Sequence, residues 1–202
     1  GSAADARHAG FQVLFAGRLA REKGVRVLLQ AWRSTGLRAP DAALVLAGAG
    51  PEAADAASVD AVVVPGALDQ AGLRNFYAAS DVVVMPSIPT RTFREPWGLV
   101  ANEAMNQGIP VIATDAVGAV AGGLVRERRN GLVVPAGDPA ALASAILCLR
   151  DPALRARLGA AARADVDAYD HAAWAEGFSR ALADAGASAA IPTPATGLGR
   201  RG

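Results

Sequence analysis

FQVLFAGRLAREKGVRVLLQAWR, residues 11–33, contains a short apolar run, a turn rich in glycine and charge, and then an apolar pattern with helical spacing. The first run is hydrophobic at nearly every position, which is typical of a strand buried on both faces of a parallel sheet. The pattern after residue 25 predicts a helix that crosses back over that sheet. This stretch therefore predicts the first strand–helix unit of an α/β fold.

The same alternation continues along the chain to about residue 150. Strands are predicted at 12–16, 43–47, 61–64, 82–85, 111–114 and 131–134. Helices are predicted at 25–33, 51–57, 71–79, 99–107 and 139–150, several of them with a proline or a capping Asp or Ser at the start. Right-handed crossovers between such strands make a Rossmann-like, doubly wound parallel sheet of about six strands, with its ligand crevice at the carboxyl ends of the strands.

The ends of the chain differ from this pattern. After residue 150 only helices are predicted, at 152–166 and at 171–183, the second with Asp170 as its N-cap. Residues 1–10 are predicted to be a tail, with Gly1 and Ser2 the remnant of a cleaved tag, and the Ala-, Pro-, Gly- and Thr-rich residues 185–202 a disordered tail. One domain is therefore expected at 11–184.

Composition narrows the function. A formal net charge of +1, with both signs interspersed, gives no basic face of the kind that nucleic-acid binding requires. No apolar run is long enough to span a bilayer, and the N-terminus lacks the charged segment followed by an apolar segment that is typical of a signal peptide. The single cysteine, Cys148, has no partner for an internal disulfide. We expect a cytoplasmic enzyme or binding domain. A peripheral position at the inner membrane face is the alternative.

The turn after the first predicted strand combines Gly17 and Arg18 with Lys23. Glycine allows a close backbone approach, helix-start N–H groups face an anion, and the two cations supply charge, which together suit a diphosphate. Solvated surface charge is the alternative for such a pair. Lys23 is the chain's only lysine, so a sequence that otherwise uses arginine has placed a compact ammonium here, which favours a phosphate site.

A second group of polar residues surrounds the start of the helix predicted at 99–107. Glu95 lies in the preceding loop and Glu103 lies one to two turns into the helix. Carboxylates accept hydrogen bonds from vicinal diols, so this pair could hold ribose and sugar hydroxyls at the two ends of a diphosphate. A solvated helix face is the alternative for two glutamates at this spacing.

The stretch EPWGLVANE, residues 95–103, resembles the Glu-x7-Glu motif of retaining GT-B glycosyltransferases, most closely those of the glycosyltransferase family 4 type. Further similar stretches are FAGR with KG, LVLAGAGP, ASDV with PS, GIPVIAT and NGLVVP, in the family's order from residue 11 to about 182. The resemblance covers the C-terminal, donor-binding half of that fold. Two segments depart from it: 88–94 is longer than usual, and 119–124 lacks the common Pro-Glu pair.

The resemblance implies a hexosyltransferase domain that binds a UDP- or GDP-sugar without a metal ion or other cofactor. It implies that Arg18 and Lys23 bind the diphosphate and stabilise the leaving group and that Glu95 contacts the transferred sugar, which makes these three the expected catalytic residues. It also implies that Glu103 holds the ribose. The remaining expected donor-binding residues are Gly17, Gly98 and Leu99, which offer backbone groups, and Val64 near the base.

The resemblance also implies a partner, an N-terminal acceptor-binding domain without which this chain should turn over little substrate. Half of a GT-B phosphorylase or of a sugar-nucleotide epimerase remains an alternative, as does a non-catalytic nucleotide-binding module. A nicotinamide-binding domain is disfavoured, because Gly48 and Gly50 follow the second strand and the third glycine of that fingerprint is missing. Asp165 and Asp167 form an Asp-x-Asp at the end of a late helix, away from the strand edges where a metal would lie, so no metal site is expected there.

Overall fold

The computed structural model describes residues 2–169 and 171–184. The chain divides into a compact unit that ends at Ala168 and a second unit that begins at Tyr169. The predicted cap at Asp170 and the predicted tail at 185–202 lie outside the described residues.

The compact unit contains one parallel sheet of six strands in the order β3-β2-β1-β4-β5-β6. The strands are β1 (Phe11–Ala16), β2 (Ala42–Ala47), β3 (Val62–Gly66), β4 (Val82–Met85), β5 (Val111–Thr114) and β6 (Gly131–Val134). All six were predicted, and the expected Rossmann-like fold class is confirmed.

Helices connect the strands and follow the last one. They are α1 (Val25–Thr35), α2 (Ala53–Ala57), α3 (Gln70–Ala78), α4 (Leu99–Asn106), α5 (Gly118–Ala121), α6 (Pro139–Cys148), α7 (Pro152–Val166) and, in the second unit, α8 (His171–Asp184). Seven of these match the predictions to within two or three residues. The short helix α5 was not predicted, because four residues of glycine, alanine and valine carry no amphipathic period. None of the described helices has the length and apolarity to span a bilayer.

The hydrophobic core lies on the sheet and explains why its strands read as continuous apolar runs. Every residue of β1 and of β2 is buried, including Gln12, whose amide donates to the Ala6 carbonyl at 3.1 Å. Helix α1 covers one face of the sheet with buried Leu28 and Trp32. A strand with helices on both of its faces has no solvated side, so its polar positions must find internal partners.

Part of the predicted N-terminal tail belongs to the compact unit and packs beside β1 and β4. Ala6 is buried, and the Arg7 guanidinium donates to the Ala79 carbonyl at 2.6 Å and pairs with Asp81 at 2.8 Å. The Asp81 carboxylate also accepts from the backbone N–H of Gln12 at 2.8 Å. These contacts join the segment before β1 to the start of β4.

The strand order reverses between β1 and β4. The chain runs outward from β1 through β2 to β3 and then returns to place β4 on the other side of β1. Adjacent loops therefore leave the carboxyl ends of β1 and β4 in diverging directions, which opens a crevice between them. The fold thus brings the turn after residue 16 next to the loop after residue 85.

At the opposite, amino-terminal edge, a buried carboxylate ties α7 to the segment before β6. Asp165 is 9% exposed and accepts from Arg129 at 2.7 and 2.8 Å, from Arg126 at 2.7 Å and from Asn130 at 2.9 Å. The Arg129 guanidinium is the main reason why the pKa of Asp165 falls from 3.8 to about 2. Asp167, the other half of the Asp-x-Asp, pairs instead with Arg163 at the surface.

We predict that Asp165→Asn lowers the free energy of unfolding at neutral pH by about 1.5–3 kcal/mol, because charged hydrogen bonds are lost. The folded-state pKa lies below the ordinary value, so the stabilisation is present above about pH 4 and is lost as the pH falls towards 2. Denaturant unfolding across this pH range should therefore show a smaller loss of stability for the variant than for the unmodified chain. Asp167→Asn, an exposed carboxylate two residues away, is the control and should have little effect. Equal effects of the two substitutions would contradict the role assigned to Asp165.

Candidate functional site

A cavity of about 400 Å³ occupies the crevice between the loops that follow β1 and β4. It contains seven of the eight predicted site residues, which the structure brings together: Gly17, Arg18, Lys23, Glu95, Gly98, Leu99 and Glu103. The eighth, Val64, lies inside β3 at the far side of the sheet, where its side chain packs against the hydrophobic core. The first strand and the helix α4 thus supply the walls of one site.

The turn after β1 is held close to β4 by its backbone. A short 3-10 turn at Arg21–Lys23 precedes Gly24, and a Cβ on Gly24 would lie 1.8 Å from the Pro86 carbonyl oxygen. The Ile88 backbone N–H donates to the Glu22 carbonyl at 3.0 Å. These contacts fix Lys23 beside the loop that leaves β4.

The contact between Gly24 and Pro86 also bears on the expectation that the start of the helix after β1 faces an anion. The predicted start of α1, Gly24 and Val25, is buried beneath the β4 loop and does not line the cavity. Instead, the cavity meets the start of α4, where Gly98, Leu99 and Val100 are among its lining residues. The Leu99 side chain is 69% exposed. The helix start that lines the cavity is therefore that of α4.

The centre of the site is an ion pair between Lys23 and Glu95. The Lys23 ammonium donates to the Glu95 Oε2 atom, which also accepts from the Ser87 hydroxyl at 3.1 Å. The ammonium lies 5.0 Å from the centroid of the Phe93 ring, within reach of a cation–π interaction. Both ionic groups are largely buried, so each would be costly without the other.

Arg18 lies closer to solvent. Its side chain is 62% exposed, and it pairs with Glu22 one turn later in the chain. An exposed pair of this kind contributes little to stability. The guanidinium is therefore available to exchange Glu22 for a more highly charged anion.

Glu103 lies on α4 with Tyr77 behind it. The buried Tyr77 hydroxyl donates to the Glu103 Oε2 atom at 2.6 Å. Burial raises the pKa of Tyr77, and the hydrogen bond to Glu103 raises it further. Glu103 itself is exposed and lines the cavity.

The segment that contains α5 supports the Glu95 loop from behind. The Glu95 carbonyl accepts from the Gly118 backbone N–H at 3.0 Å, and the Trp97 carbonyl accepts from Ala119 at 2.8 Å. A Cβ on Gly118 would lie 1.8 Å from the Pro96 carbonyl oxygen. This is the segment that departs from the family pattern, and here it is in direct backbone contact with the loop it supports.

The Gly48-Ala49-Gly50 turn supports the Gly17 turn in the same way. The Leu19 backbone N–H donates to the Ala49 carbonyl at 2.9 Å, and a Cβ on Gly48 would lie 1.8 Å from the Gly17 carbonyl oxygen. These glycines make room for the turn of β1.

The longer loop at 88–94 closes on itself and on Lys23. The Thr90 backbone N–H donates to the Phe93 carbonyl at 2.9 Å, which brings the Phe93 ring under the Lys23 ammonium. Arg91 and Arg94 are exposed on the outside of this loop.

Sequence reasoning did not assign roles to four side chains that contact the predicted residues. They are Glu22, Tyr77, Ser87 and Phe93. Tyr77 is 26 positions from Glu103 in the chain, so no local spacing links the two. Ser87 carried a usable signal, because it lies two residues after the end of β4 and so had to lie at the ligand edge of the sheet.

The cavity is therefore lined by two cations and two carboxylates. Lys23 and Arg18 lie near the β1 turn, Glu95 lies beside Lys23, and Glu103 lies further along α4. Cations attract phosphate oxygens, and a carboxylate accepts hydrogen bonds from a diol. Among the described residues, no group of three or more His, Cys, Asp or Glu side chains has the arrangement of a metal site.

Comparison with known proteins gives the same assignment. Residues 10–151 match the family model of glycosyl transferases group 1. The D-inositol 3-phosphate glycosyltransferase of Pseudarthrobacter chlorophenolicus is 38% identical over 167 residues, which cover 75% of this chain and 37% of that protein.

Solved structures extend the similarity to the fold. Sucrose-phosphate synthase from Thermosynechococcus elongatus superposes with a TM-score of 0.69 at 33% identity, over 88% of this chain and 46% of that one. The Anabaena protein Alr3699/HepE, in complex with UDP-glucose, gives a TM-score of 0.69 at 26% identity, over 86% of this chain and 49% of that one. The chain thus spans half or less of the length of these relatives.

The resemblance to GT-B glycosyltransferases that the sequence indicated is confirmed by both comparisons. The matched region includes all six strands and every residue that lines the cavity. The chain belongs to the glycosyl transferases group 1 family, and its sheet has the fold of GT-B glycosyltransferases.

Proposed function

We propose that this chain is the donor-binding domain of a retaining, metal-independent hexosyltransferase that uses a UDP- or GDP-sugar. The observation that carries the proposal is that Arg18, Lys23, Glu95 and Glu103 line one cavity, with Lys23 paired to Glu95. A diphosphate with a hydroxyl-bearing sugar at each end offers anionic oxygens to the two cations and hydroxyl donors to the two carboxylates. The UDP-glucose complex of the Anabaena relative supports a ligand of this class.

Each residue has a proposed place along the ligand. Arg18 and Lys23 bind the diphosphate, with Glu22 and Glu95 as the counter-ions they exchange for it. Glu95 then accepts from the hydroxyls of the transferred sugar, and Glu103 accepts from the ribose diol. Gly17, Gly98 and Leu99 offer backbone groups at the cavity wall.

The proposed reaction transfers the sugar to an acceptor hydroxyl. The acceptor oxygen forms a bond to the anomeric carbon, the bond from that carbon to the diphosphate oxygen breaks, and the acceptor proton leaves with the products. Negative charge grows on the diphosphate in the transition state, where fixed cations stabilise it most. Arg18 and Lys23 supply that charge, so the proposal requires no metal ion.

The acceptor site is proposed to lie on another domain. The relatives are more than twice as long as the region that this chain matches in them, which leaves room for an N-terminal acceptor-binding domain. The chain alone is expected to bind the donor and to turn over little substrate.

We predict that UDP or GDP, and more strongly one of its sugar conjugates, raises the thermal unfolding temperature equally with and without EDTA. A ligand that binds only the folded state stabilises it, and the binding charges here belong to side chains. A thermal-shift panel of UDP, GDP, ADP, their sugars and NAD measures this directly.

A shift that requires Mg²⁺ or Mn²⁺ would contradict metal-independent binding. If a nucleotide raises the unfolding temperature and no sugar conjugate raises it further, a non-catalytic nucleotide-binding module would be favoured. Stabilisation by NAD alone would contradict the proposal as a whole.

We predict that Lys23→Ala and Arg18→Ala each weaken binding of the nucleoside diphosphate by about 1.5–3 kcal/mol, because each removes a charged hydrogen bond. Calorimetric titration measures the loss, and circular dichroism checks the fold. Arg21→Ala is the matched control, since Arg21 is exposed on the same turn and does not line the cavity. An equal loss in the control, or none in either variant, would show that Arg18 and Lys23 do not bind the diphosphate.

We predict opposite behaviour for the two glutamates. Glu103→Gln should weaken the diphosphate and its sugar conjugate alike, because both contain the ribose. Glu95→Gln should leave diphosphate affinity equal or tighter, since it frees Lys23 from its counter-ion, and should reduce the additional affinity for the sugar about tenfold. Calorimetric titration of each variant with the diphosphate and with its sugar conjugate gives the four affinities needed.

Glu127→Gln is the control, because Glu127 precedes β6 at the opposite edge of the sheet and should change none of these affinities. If Glu95→Gln weakens both ligands equally, the assignment of Glu95 to the sugar is wrong. If Glu103→Gln weakens neither, the ribose assignment is wrong.

A further inference from the structure

Tyr77 is a buried polar residue whose hydroxyl bonds to a cavity-lining carboxylate. It lies near the end of α3, is 2% exposed, and donates to the Glu103 Oε2 atom at 2.6 Å. Tyr77 itself does not line the cavity, whereas Glu103 does. Any influence of Tyr77 on a ligand must therefore pass through Glu103.

We infer that Tyr77 is a positioning residue that holds one carboxylate oxygen of Glu103, so that the other oxygen meets the vicinal diol of the nucleotide ribose. The inference rests on the proposed function, in which Glu103 binds the ribose. It adds a residue from α3, an element that supplies no side chain to the cavity wall.

The geometry supports this role because Glu103 would otherwise be mobile. A glutamate exposed on a helix surface samples several rotamers, and fixing one of them on binding costs conformational entropy. A hydrogen bond from a buried and therefore well-ordered phenol fixes the carboxylate before the ligand arrives. Preorganisation of this kind increases affinity by reducing the cost of binding.

The protonation state of Tyr77 is suited to this role. Burial and the neighbouring carboxylate both raise the pKa of Tyr77, so the phenol remains a hydrogen-bond donor throughout the physiological pH range.

A purely structural role is the competing explanation, in which the hydrogen bond only ties α3 to α4. The two explanations differ in what the ligand must contain. A structural tie affects every ligand of the cavity equally, whereas a positioning role affects only ligands with a ribose diol.

The test compares Tyr77→Phe with the unmodified chain by calorimetric titration. The probes are UDP or GDP, whichever binds, and the 2′,3′-dideoxy form of the same nucleotide. We expect Tyr77→Phe to bind the ordinary diphosphate about 3- to 10-fold more weakly and the dideoxy form within about twofold of the unmodified chain. Tyr169→Phe, the same change at the chain's other tyrosine, is the control and should leave both affinities unchanged.

A double-mutant cycle gives a second, independent readout. If Tyr77 acts through Glu103, then Tyr77→Phe should cost no further affinity once Glu103→Gln is present. Additive losses would overturn the inference. So would an equal loss for the ordinary and the dideoxy nucleotide, or no loss for either.

Failure of the proposed function is visible in the unmodified chain alone. If that chain binds neither UDP nor GDP, or binds the dideoxy form as tightly as the ordinary one, the ribose role of Glu103 fails and the inference fails with it. If that chain binds the ordinary nucleotide more tightly than the dideoxy form but Tyr77→Phe changes neither affinity, only the positioning role of Tyr77 is overturned. Circular dichroism and the unfolding temperature show whether the variant is folded, and the comparison of two ligands on one variant is unaffected by a uniform loss of folded protein.

Discussion

The site depends on backbone segments that lie against one another with no side chain between them. The turn after β1 meets the loop after β4 at Gly24, and that loop in turn meets the segment after β5 at Gly118. The loops that follow three parallel strands thus lie in contact, because glycine leaves room for their backbones to approach. The Lys23–Glu95 ion pair forms across the first of these contacts. Without that close approach, the cation and the carboxylate would belong to separate surfaces.

The charges at the site are already paired within the protein. Lys23 with Glu95 and Arg18 with Glu22 leave the cavity without a large net charge, so a ligand gains only the difference between its own interactions and the internal ones. A monovalent anion offers little more than a carboxylate does. In the proposed function, a diphosphate brings more charge and more acceptors, and its attached sugar would return hydrogen-bond donors to Glu95. Internal pairing therefore favours a complete ligand over its fragments.

The sequence predicted the strands, and the position of the turn after β1, for one physical reason, whereas Gly98 and Leu99 were expected only from the family resemblance. Buried parallel strands are continuous apolar runs, and residues such as Gly17 and Arg18 follow a strand directly, so fold and location were both local signals. Contacts between distant segments left no such signal. Tyr77 reads as an ordinary helical residue until α3 and α4 are seen together. Val64, assigned through a resemblance and not through its own chemistry, lies in β3 away from the cavity.

The Asp165 network lies at the amino-terminal edge of the sheet, and the cavity lies at the carboxyl-terminal edge. The protein therefore separates the groups that hold α7 in place from those that line the cavity. Changes in the loops around the cavity leave the Asp165 contacts intact, so new ligand preferences can arise there at little cost to folding. Substitutions at the carboxyl-terminal edge can therefore reshape the cavity without removing the contacts that hold α7 at the other edge.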